Sequence, residues 1–311
     1  MNKIIIFNVW WALSSYIEIW WWKAIIDLWK NWDFSPIHDF LLPLFKIKKY
    51  TKENEKFYID QLFLSHLDSD HISDYLEFKK FFYPKYLTCP NSHNKQDEVL
   101  NVNKQLLWEE NEIRNIILKD MTSEWKRQPP LWISDAFQQN AKMFFIPPKK
   151  CEKIKELNMH YANNISLSIF IRYNNYTIYF PWDIQKEWME YLILNNNWYK
   201  SFLNNNKINF LIAPHHWLST SFPQIFFNVI KWNKTDLNII SEKTRSSDNN
   251  ENRSDVDKRY YDSTYSTWQN QLKQNWIKTS LWHIIIDLET WNIAQYKDSN
   301  DALRNFIWYN K

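Results

Sequence analysis

The sequence contains no glycine, and this absence constrains how the chain can fold more than any other feature. Its 311 residues include 0 glycines and 20 tryptophans, whereas an average protein of this length has about 22 glycines. Glycine is the residue that adopts positive φ angles without steric cost. Tryptophan clusters at 10–11 and 20–22 lie between strand-like segments, where turns are expected and where indole is a poor turn former.

The placement of these tryptophans suggests that most of them are glycine in the living protein. Trp182 lies between a proline and an aspartate, and Trp217 follows a His-His pair. A gene whose UGA codons encode glycine would give this sequence if UGA were translated as tryptophan, and abundant Asn, Lys and Ile fit an AT-rich gene. The alternative is a genuinely tryptophan-rich protein whose indoles stack on sugars or bases.

Composition indicates a globular protein of one large or two small domains. Hydrophobic residues make up 45% of the chain, and the formal net charge of +3 does not indicate nucleic-acid binding by bulk electrostatics. Two cysteines, Cys89 and Cys151, are too few for a disulfide scaffold and fit a reducing compartment. The apolar run at 4–7 is too short for a signal peptide, and no run of 18 apolar residues predicts a membrane span. We therefore expect a cytoplasmic protein with no membrane partner.

Sequence periodicity predicts an α/β protein in which two sheets are covered by helices. The first three strands form an antiparallel meander, and a hairpin turns around residues 173–175. A loop-rich insertion is expected at about 121–164, and a mobile polar loop at about 242–258. The predicted strands are 3–9, 16–19, 24–28, 61–64, 166–172, 176–180, 208–213, 237–241 and 283–288, and the predicted helices are 74–82, 103–120, 184–194 and 260–276.

The densest group of chemically competent side chains is Ser65-His66-Leu67-Asp68-Ser69-Asp70-His71. It follows an apolar strand, so it lies on a loop at the end of a sheet. Imidazole and carboxylate ligands suit zinc, manganese or iron, and alternation at 66, 68 and 70 can direct three ligands inward. The alternative is a polar turn that binds nothing.

Two later strand ends carry side chains of the same kind. Asp183 follows the strand that ends at Pro181, where a carboxylate could bridge two cations or could simply cap the next helix. His215 and His216 follow another strand, and their alternative role is a partly buried pair with backbone partners. Three such strand ends at one edge would supply about the number of ligands that a two-metal site needs.

The pattern His66-x-Asp68-x-Asp70-His71 resembles the first metal motif of the metallo-β-lactamase superfamily. Most members carry histidine at the position of Asp68, and an aspartate there is similar to the pattern of the hydrolase domain of ComEC-type DNA-uptake proteins. Four further segments resemble the family: the N-terminal hairpin at 7–12 with its strand to Asp27, Asn164-x-Ser166, Trp182-Asp183 if Trp182 is glycine, and His215-His216-Trp217-Leu218-Ser219. The resemblance implies a single domain over 1–311 with a four-layer αββα sandwich. Members of the family also carry a histidine between the first motif and the Gly-Asp motif. His93 is the candidate for it here, and His160 is a weaker candidate.

This resemblance implies a hydrolase that uses two divalent cations, Zn²⁺ or Mn²⁺. Asp70 and His71 would hold one cation, His66 and Asp68 the other, and Asp183 would bridge them. One or both of His215 and His216 would complete the site, and one that is not a ligand could stabilise the leaving group. Asp70, His215 and His216 are the candidate catalytic residues. Candidate substrate contacts are Asn164, Ser166, Ser219 and Ser221, of which the last two could equally be helix N-caps.

The expected substrate is a phosphodiester, such as nucleic acid, because the nearest resemblance is to a nuclease-like domain. The basic cluster at 149–155 adds little support, since acidic residues interrupt it. A non-catalytic metal-binding or ligand-sensing module and a hydrolase of small esters or lactams remain alternatives. The sequence does not determine the oligomeric state.

Overall fold

A computed structural model describes residues 2–9, 13–90, 112–113, 115–117, 139–146, 148–158, 161–213, 222–240, 258–267, 274–279 and 282–308. The chain divides into two compact units. Unit 1 comprises Met1–Gln138 and Leu281–Lys311, and unit 2 comprises Gln139–Ser280. Each unit contains one sheet with its own helices, which confirms the predicted α/β class with two sheets.

Unit 1 is built on an eight-stranded mixed sheet. Its strands are β1 (Asn2–Ile6), β2 (Ser15–Ile19), β3 (Trp22–Ile26), β4 (Lys52–Glu53), β5 (Lys56–Phe63), β6 (Phe82–Thr88), β13 (His283–Asp287) and β14 (Ile293–Tyr296). They lie in the order β14-β13-β1-β2-β3-β5-β4, with β6 paired to β5. The predicted antiparallel meander is confirmed as β1, β2 and β3, and β5 pairs in parallel with both β3 and β6.

Helices cover one face of this sheet. A π-helical segment (Pro36–Leu41) continues into α1 (Leu42–Ile47), and α2 (Ser69–Ile72), α3 (Tyr75–Phe81) and the C-terminal helix (Ser299–Trp308) follow. Their apolar side chains share one core with the strands, since Phe40, Phe45 and Phe306 pack with Phe7 and Tyr16. Aromatic burial of this kind is a large source of stability.

A row of alternating charges crosses the sheet of unit 1. Lys3 lies opposite Asp287 on β13 and opposite Glu18 on β2, and Glu18 lies opposite Lys23 on β3. The backbone N–H of Lys23 donates to the Asp60 carboxylate at 2.9 Å. We call these five residues the charge ladder; four of them are buried and Lys23 is half-buried.

Unit 2 contains a six-stranded sheet. Its strands are β7 (Ala141–Phe144), β8 (Ser168–Tyr173), β9 (Tyr176–Phe180), β10 (Phe210–Ile212), β11 (Leu237–Ile240) and β12 (Trp276–Lys278). They lie in the order β12-β11-β10-β9-β8-β7. β8 and β9 form the predicted hairpin, and β9 to β12 run parallel.

The described α-helices of unit 2, α4 to α9, are Pro148–Lys153, Lys155–Asn158, Tyr161–Asn164, Lys186–Asn195, Asn197–Asn205 and Gln224–Ile230; the C-terminal helix of unit 1 is α10. Short 3₁₀ segments are Lys231–Asn233 and Lys258–Tyr260.

Several elements differ from the sequence prediction. The segment expected to be loop-rich contains β7 and the helices α4 to α6 in its described part. The helix predicted at 260–276 is absent from the described residues there, which hold the isolated bridge of Ser266 to Thr235 and then β12. The polar loop at 242–258 and most of the helix predicted at 103–120 lie outside the described residues.

Two helices that the sequence analysis missed carry recognisable signals. The side chain of Asn196 caps α8 by accepting from the Tyr199 N–H at 3.0 Å, and Asp298 accepts from the N–H groups of Asn300 and Asp301 at the start of α10. Both are N-caps of an ordinary type. Among the described residues, no helix has the length and apolar character needed to cross a membrane.

Candidate metal centre

The site in unit 1 is organised around Asp27, the residue that follows β3. Asp27 is fully buried and adopts a φ of 55°, in the left-handed region that few residues other than glycine occupy. Its N–H donates to the Phe63 carbonyl at 2.9 Å, and its own carbonyl accepts from the Ser14 hydroxyl at 2.9 Å. Strained backbone held on both sides is often found at functional sites.

The Asp27 carboxylate accepts hydrogen bonds from the segment that follows β5. Oδ1 accepts from the backbone N–H of Ser65 at 2.6 Å, and Oδ2 lies 2.6 Å from both the Ser65 hydroxyl and Nδ1 of His71. A carboxylate can only accept, so Nδ1 of His71 carries the hydrogen. In the neutral ring, Nε2 of His71 then carries the lone pair, and neutral imidazole is the form in which histidine binds a metal ion.

The backbone fixes His71 as well. Its carbonyl accepts from the N–H of Leu28 at 2.8 Å, and its N–H donates to the Asp68 carbonyl at 2.9 Å. His66 and His71 are both buried, and their rings lie with centroids 4.1 Å apart. The loop that follows β5 and the short helix α2 therefore hold two imidazoles side by side at the end of the sheet.

Each imidazole has a carboxylate beside its Nε2 atom. Nε2 of His66 lies 3.5 Å from Oδ2 of Asp68, and Nε2 of His71 lies 3.9 Å from Oδ2 of Asp70. Nε2 of His66 is buried and has no hydrogen-bond partner among the described residues. Lone pairs and negative carboxylates brought this close favour a cation, and nitrogen and oxygen ligands of this type suit a divalent transition metal. The residues present in unit 1 fit such an ion.

A third histidine lies at the same end of the sheet and has the opposite tautomer. Nδ1 of His283 accepts from the backbone N–H of Asn8 at 3.1 Å, so the hydrogen is on Nε2 if the ring is neutral. Burial lowers the pKa of His283 to about 4, which keeps the ring neutral. His283 therefore anchors the loop that follows β1, together with the Trp29 indole, which donates to the Val9 carbonyl at 2.7 Å.

In unit 2, Asp183 lies in the turn that follows β9. It is about 9% exposed, and the preceding residue, Trp182, has a φ of 58°. The N-cap of the next helix is Gln185 rather than Asp183, so the interpretation of Asp183 as a helix cap is wrong.

Asn164 is fully buried in unit 2 and uses its side chain to hold the turn that carries Asp183. Oδ1 accepts from the Gln185 N–H at 3.2 Å, and Nδ2 donates to the Leu157 carbonyl at 3.0 Å. The Ser166 hydroxyl is buried without a hydrogen bond among the described residues. Both were predicted as substrate contacts.

Several predicted site residues lie outside the described residues: His93, His160, His215, His216, Ser219 and Ser221. β10 is described as far as Ile212 and runs parallel to its neighbour β9. The described chain continues to Ala213, two residues before His215. Sequence reasoning missed the roles of Asp27 and Ser65, although an aspartate directly after the apolar run 24–26 was an available signal.

Known proteins give the following comparisons. No protein-family model matches the chain, and no curated protein matches it. A Thermotoga maritima protein named as a metallo-beta-lactamase is similar in structure, with a TM-score of 0.37, 16% identity, and coverage of 68% of this chain and 95% of that chain. The metallo-beta-lactamase fold protein YhfI from Bacillus subtilis has a TM-score of 0.30 and 12% identity, and the match covers 68% of this chain and 71% of that chain. A diphosphatase of the PhnP family has a TM-score of 0.36 and 9% identity, and the match covers 82% of this chain and 93% of that chain.

Proposed function

We propose that this protein is a metal-dependent hydrolase with two divalent cations, Zn²⁺ or Mn²⁺, in its active site. One observation carries the proposal: the Asp27 carboxylate accepts from Nδ1 of His71, so Nε2 is the ring nitrogen that can act as a ligand. The buried Nε2 of His66, which has no hydrogen bond among the described residues, lies 3.5 Å from Oδ2 of Asp68. Two buried imidazoles with the partly exposed carboxylates of Asp68 and Asp70 beside them form a ligand set for a cation.

The ligands divide into two groups in this proposal. His66 with Asp68 would serve one cation and His71 with Asp70 the other, which matches the pairwise distances of 3.5 and 3.9 Å. Asp183, His215 and His216 are added because the sequence resemblance implies them, and His93 stays a candidate on the same ground. Asp27 and Ser65 would orient the imidazoles without being ligands themselves.

The proposed reaction is hydrolysis of a phosphodiester, with a ComEC-type nucleic-acid substrate as the specific form. Divalent cations in a two-metal site supply hydroxide near neutral pH and compensate charge on phosphoryl oxygens. Asp68 in a position where most family members carry histidine supports the ComEC-type assignment. The PhnP-family protein is a diphosphatase, and phosphate-ester chemistry in this chain is our proposal.

The first experiment measures metal content and hydrolysis together. Metal bound per chain would be counted by elemental analysis, and cleavage of bis(p-nitrophenyl) phosphate and single-stranded DNA would be followed with Mn²⁺ or Zn²⁺. We expect metal-dependent cleavage that Asp183→Ala and Asp70→Ala abolish. Asp301→Ala, at a carboxylate about 55% exposed on the C-terminal helix, is the matched control and should leave both quantities unchanged.

Each other outcome contradicts part of the proposal. Two bound metals without phosphodiester cleavage would favour the ester or lactam hydrolase, or the sensing module, and an ester and a lactam substrate would separate these two. Full metal content and activity in both Asp183→Ala and Asp70→Ala would overturn the two-metal site itself.

We also propose that most tryptophans in this sequence are glycines in the living protein. Among the described residues, eight have a positive φ, and three of these are Trp20, Trp182 and Trp291. The left-handed conformation costs roughly 1–2 kcal/mol for a residue with a Cβ atom. Trp32 is 96% exposed, and the buried indole N–H of Trp188 has no hydrogen-bond partner among the described residues. Turns, full exposure and unsatisfied burial are all better suited to glycine than to indole.

Peptide sequencing of the protein from its native source by mass spectrometry tests this recoding. Glycine at 20, 182 and 291 is the expected result, and the intact mass falls by one indole-bearing side chain for each replaced position. Tryptophan at all three positions would overturn the proposal. The activity experiment is therefore run on the glycine form beside the chain as written.

We propose a cytoplasmic location because of the state of the two cysteines. Cys89 and Cys151 are buried and are in no disulfide within the described part of the chain, which fits a reducing compartment. Recovery of the native protein in a secreted or extracellular fraction would contradict this.

A further inference from the structure

We propose that Ser65 is a positioning residue that sets the tautomer of His66 and so prepares its Nε2 atom to bind a cation. This inference rests on the proposed metal site. Ser65 is fully buried between the end of β5 and the two imidazoles. Its Oγ atom lies 2.6 Å from Oδ2 of Asp27, 3.1 Å from Nδ1 of His66 and 3.2 Å from Nδ1 of His71.

The hydrogens in this cluster can be assigned by counting donors. The Ser65 hydroxyl has one hydrogen and two acceptor lone pairs, and its shortest contact is to a carboxylate that only accepts. The hydroxyl therefore donates to Asp27. Nδ1 of His71 is closer to the carboxylate, at 2.6 Å, than to the hydroxyl, at 3.2 Å, so its hydrogen also goes to Asp27.

The remaining contact decides the state of His66. With its hydrogen directed at Asp27, Oγ of Ser65 presents a lone pair to Nδ1 of His66 at 3.1 Å. Nδ1 of His66 must then carry the hydrogen, because two facing acceptors would repel each other. The hydrogen bond at one ring nitrogen fixes the role of the other, so Nε2 of His66 keeps its lone pair.

One carboxylate thus orients both imidazoles, His71 directly and His66 through the serine. Without the hydroxyl, His66 could place its hydrogen on Nε2 and direct it at Asp68, 3.5 Å away, in a form that cannot bind metal through that atom. Partners that orient metal ligands typically change metal affinity by about 10–100-fold when they are removed.

The test compares Ser65→Ala, Ser65→Thr and Ser15→Ala. Threonine restores the hydroxyl, and Ser15 is a matched control because its buried Oγ has no hydrogen bond among the described residues. The first readout is the His66 tautomer in the metal-free protein, measured by ¹⁵N NMR at pH about 8, where an unperturbed imidazole is neutral. The second is the affinity for Mn²⁺ and Zn²⁺, measured by titration.

We expect hydrogen on Nδ1 of His66 in the wild type and in Ser65→Thr, and loss of that preference in Ser65→Ala. Metal affinity should fall about 10–100-fold in Ser65→Ala, recover in Ser65→Thr and stay unchanged in Ser15→Ala. Hydrogen on Nε2 of His66 in the wild type would overturn the inference, even if Ser65→Ala fails to fold. So would equal affinity losses in Ser65→Ala and Ser15→Ala. Correct tautomers in a protein that binds no metal would contradict the proposed function and leave the serine assignment standing.

Discussion

Two buried carboxylates of unit 1, Asp27 and Glu18, lie at opposite ends of the same sheet and have contrasting partners. Glu18 is surrounded by donors: the Lys48 ammonium reaches its oxygens at 3.1 and 3.2 Å, the Tyr50 hydroxyl at 2.6 Å and the Tyr16 hydroxyl at 3.0 Å. Asp27 instead accepts from a backbone N–H, a hydroxyl and an imidazole. Glu18 has ammonium groups as partners, whereas Asp27 has none among these three.

In our proposal, this difference separates a structural carboxylate from one that prepares a metal site. In the charge ladder, positive and negative groups alternate across neighbouring strands, so the charges compensate one another within the protein. At the Asp27 end, the carboxylate orients imidazoles whose other nitrogens face further carboxylates. Burial alone does not indicate function; the indication lies in buried imidazoles that are held so that their Nε2 atoms face carboxylates.

The largest effect is expected at the structural end. Glu18→Gln removes the counter-charge of the half-buried Lys48 ammonium and leaves the buried Lys3 with Asp287 alone, and breaking a buried ion pair costs about 3–5 kcal/mol. Denaturant unfolding should show this loss, while metal affinity stays unchanged. Glu77→Gln, which removes the half-buried partner of Lys80 and His38, should cost about 1 kcal/mol or less. A metal-affinity loss in Glu18→Gln would remove the distinction between the two ends.

The second effect is a pH dependence at the Asp27 end. His283 has its pKa lowered to about 4 by burial, so the unfolded chain, with a value near 6.5, binds more protons between these limits. Stability should therefore fall as pH drops from about 6.5 to 4, by about 3 kcal/mol. His283→Asn keeps an acceptor for the Asn8 N–H and should remove this part of the dependence.

The difference between the two curves isolates the imidazole, because other groups oppose it. Burial raises the pKa of Asp60 and Asp74, so their protonation in the folded state adds stability as pH falls. For each protein, the unfolding free energy is expressed as its change from the value at pH 7. If this change is the same in wild type and variant at every pH from 7 to 4, the assignment of a buried neutral His283 is contradicted.

The third effect is on metal binding. Asp27→Asn keeps a side chain that tolerates positive φ but replaces one carboxylate acceptor with an amide donor facing His71 or Ser65. Metal affinity should fall about 10–100-fold, as measured by titration. Asp60→Asn, at the other end of the sheet, is the control and should alter stability only. An unchanged affinity in Asp27→Asn would show that the two carboxylates do not differ in the way proposed.

The smallest effect concerns the turn beside the charge ladder. Trp20 has a φ of 57° in the two-residue connection between β2 and β3, so Trp20→Gly in the chain as written should stabilise it by about 1 kcal/mol. Trp22→Gly, at the first residue of β3, should destabilise it, because glycine has no side chain to pack and loses more backbone entropy in a strand. Thermal unfolding measures both. Equal changes in the two variants would mean that the turn geometry does not select glycine.

The sequence by itself determined most local elements and the position of the candidate site along the chain. Short apolar runs separated by turn-like clusters predicted the opening meander, and alternating apolar residues predicted the hairpin of β8 and β9, because these contacts join neighbours along the chain. The segment from His66 to His71 could be placed after a strand for the same reason, but it is not wholly a loop, since Ser69–Ile72 forms α2. Its metal role and the membership of Asp183, His215 and His216 in the site stay predictions.

The tertiary structure alone decided which residues prepare that loop. The hydrogen bond between Asp27 and His71 spans 44 positions of the sequence, and it exists because β3 and β5 pair in parallel and end side by side. No periodicity encodes that pairing, since it depends on a crossover through the helices at 36–47. The tautomers of His71 and His283 follow in turn from partners that only folding brings within 3.1 Å. That of His66 follows from its sequence neighbour Ser65, whose hydroxyl donates to Asp27 only in the folded protein.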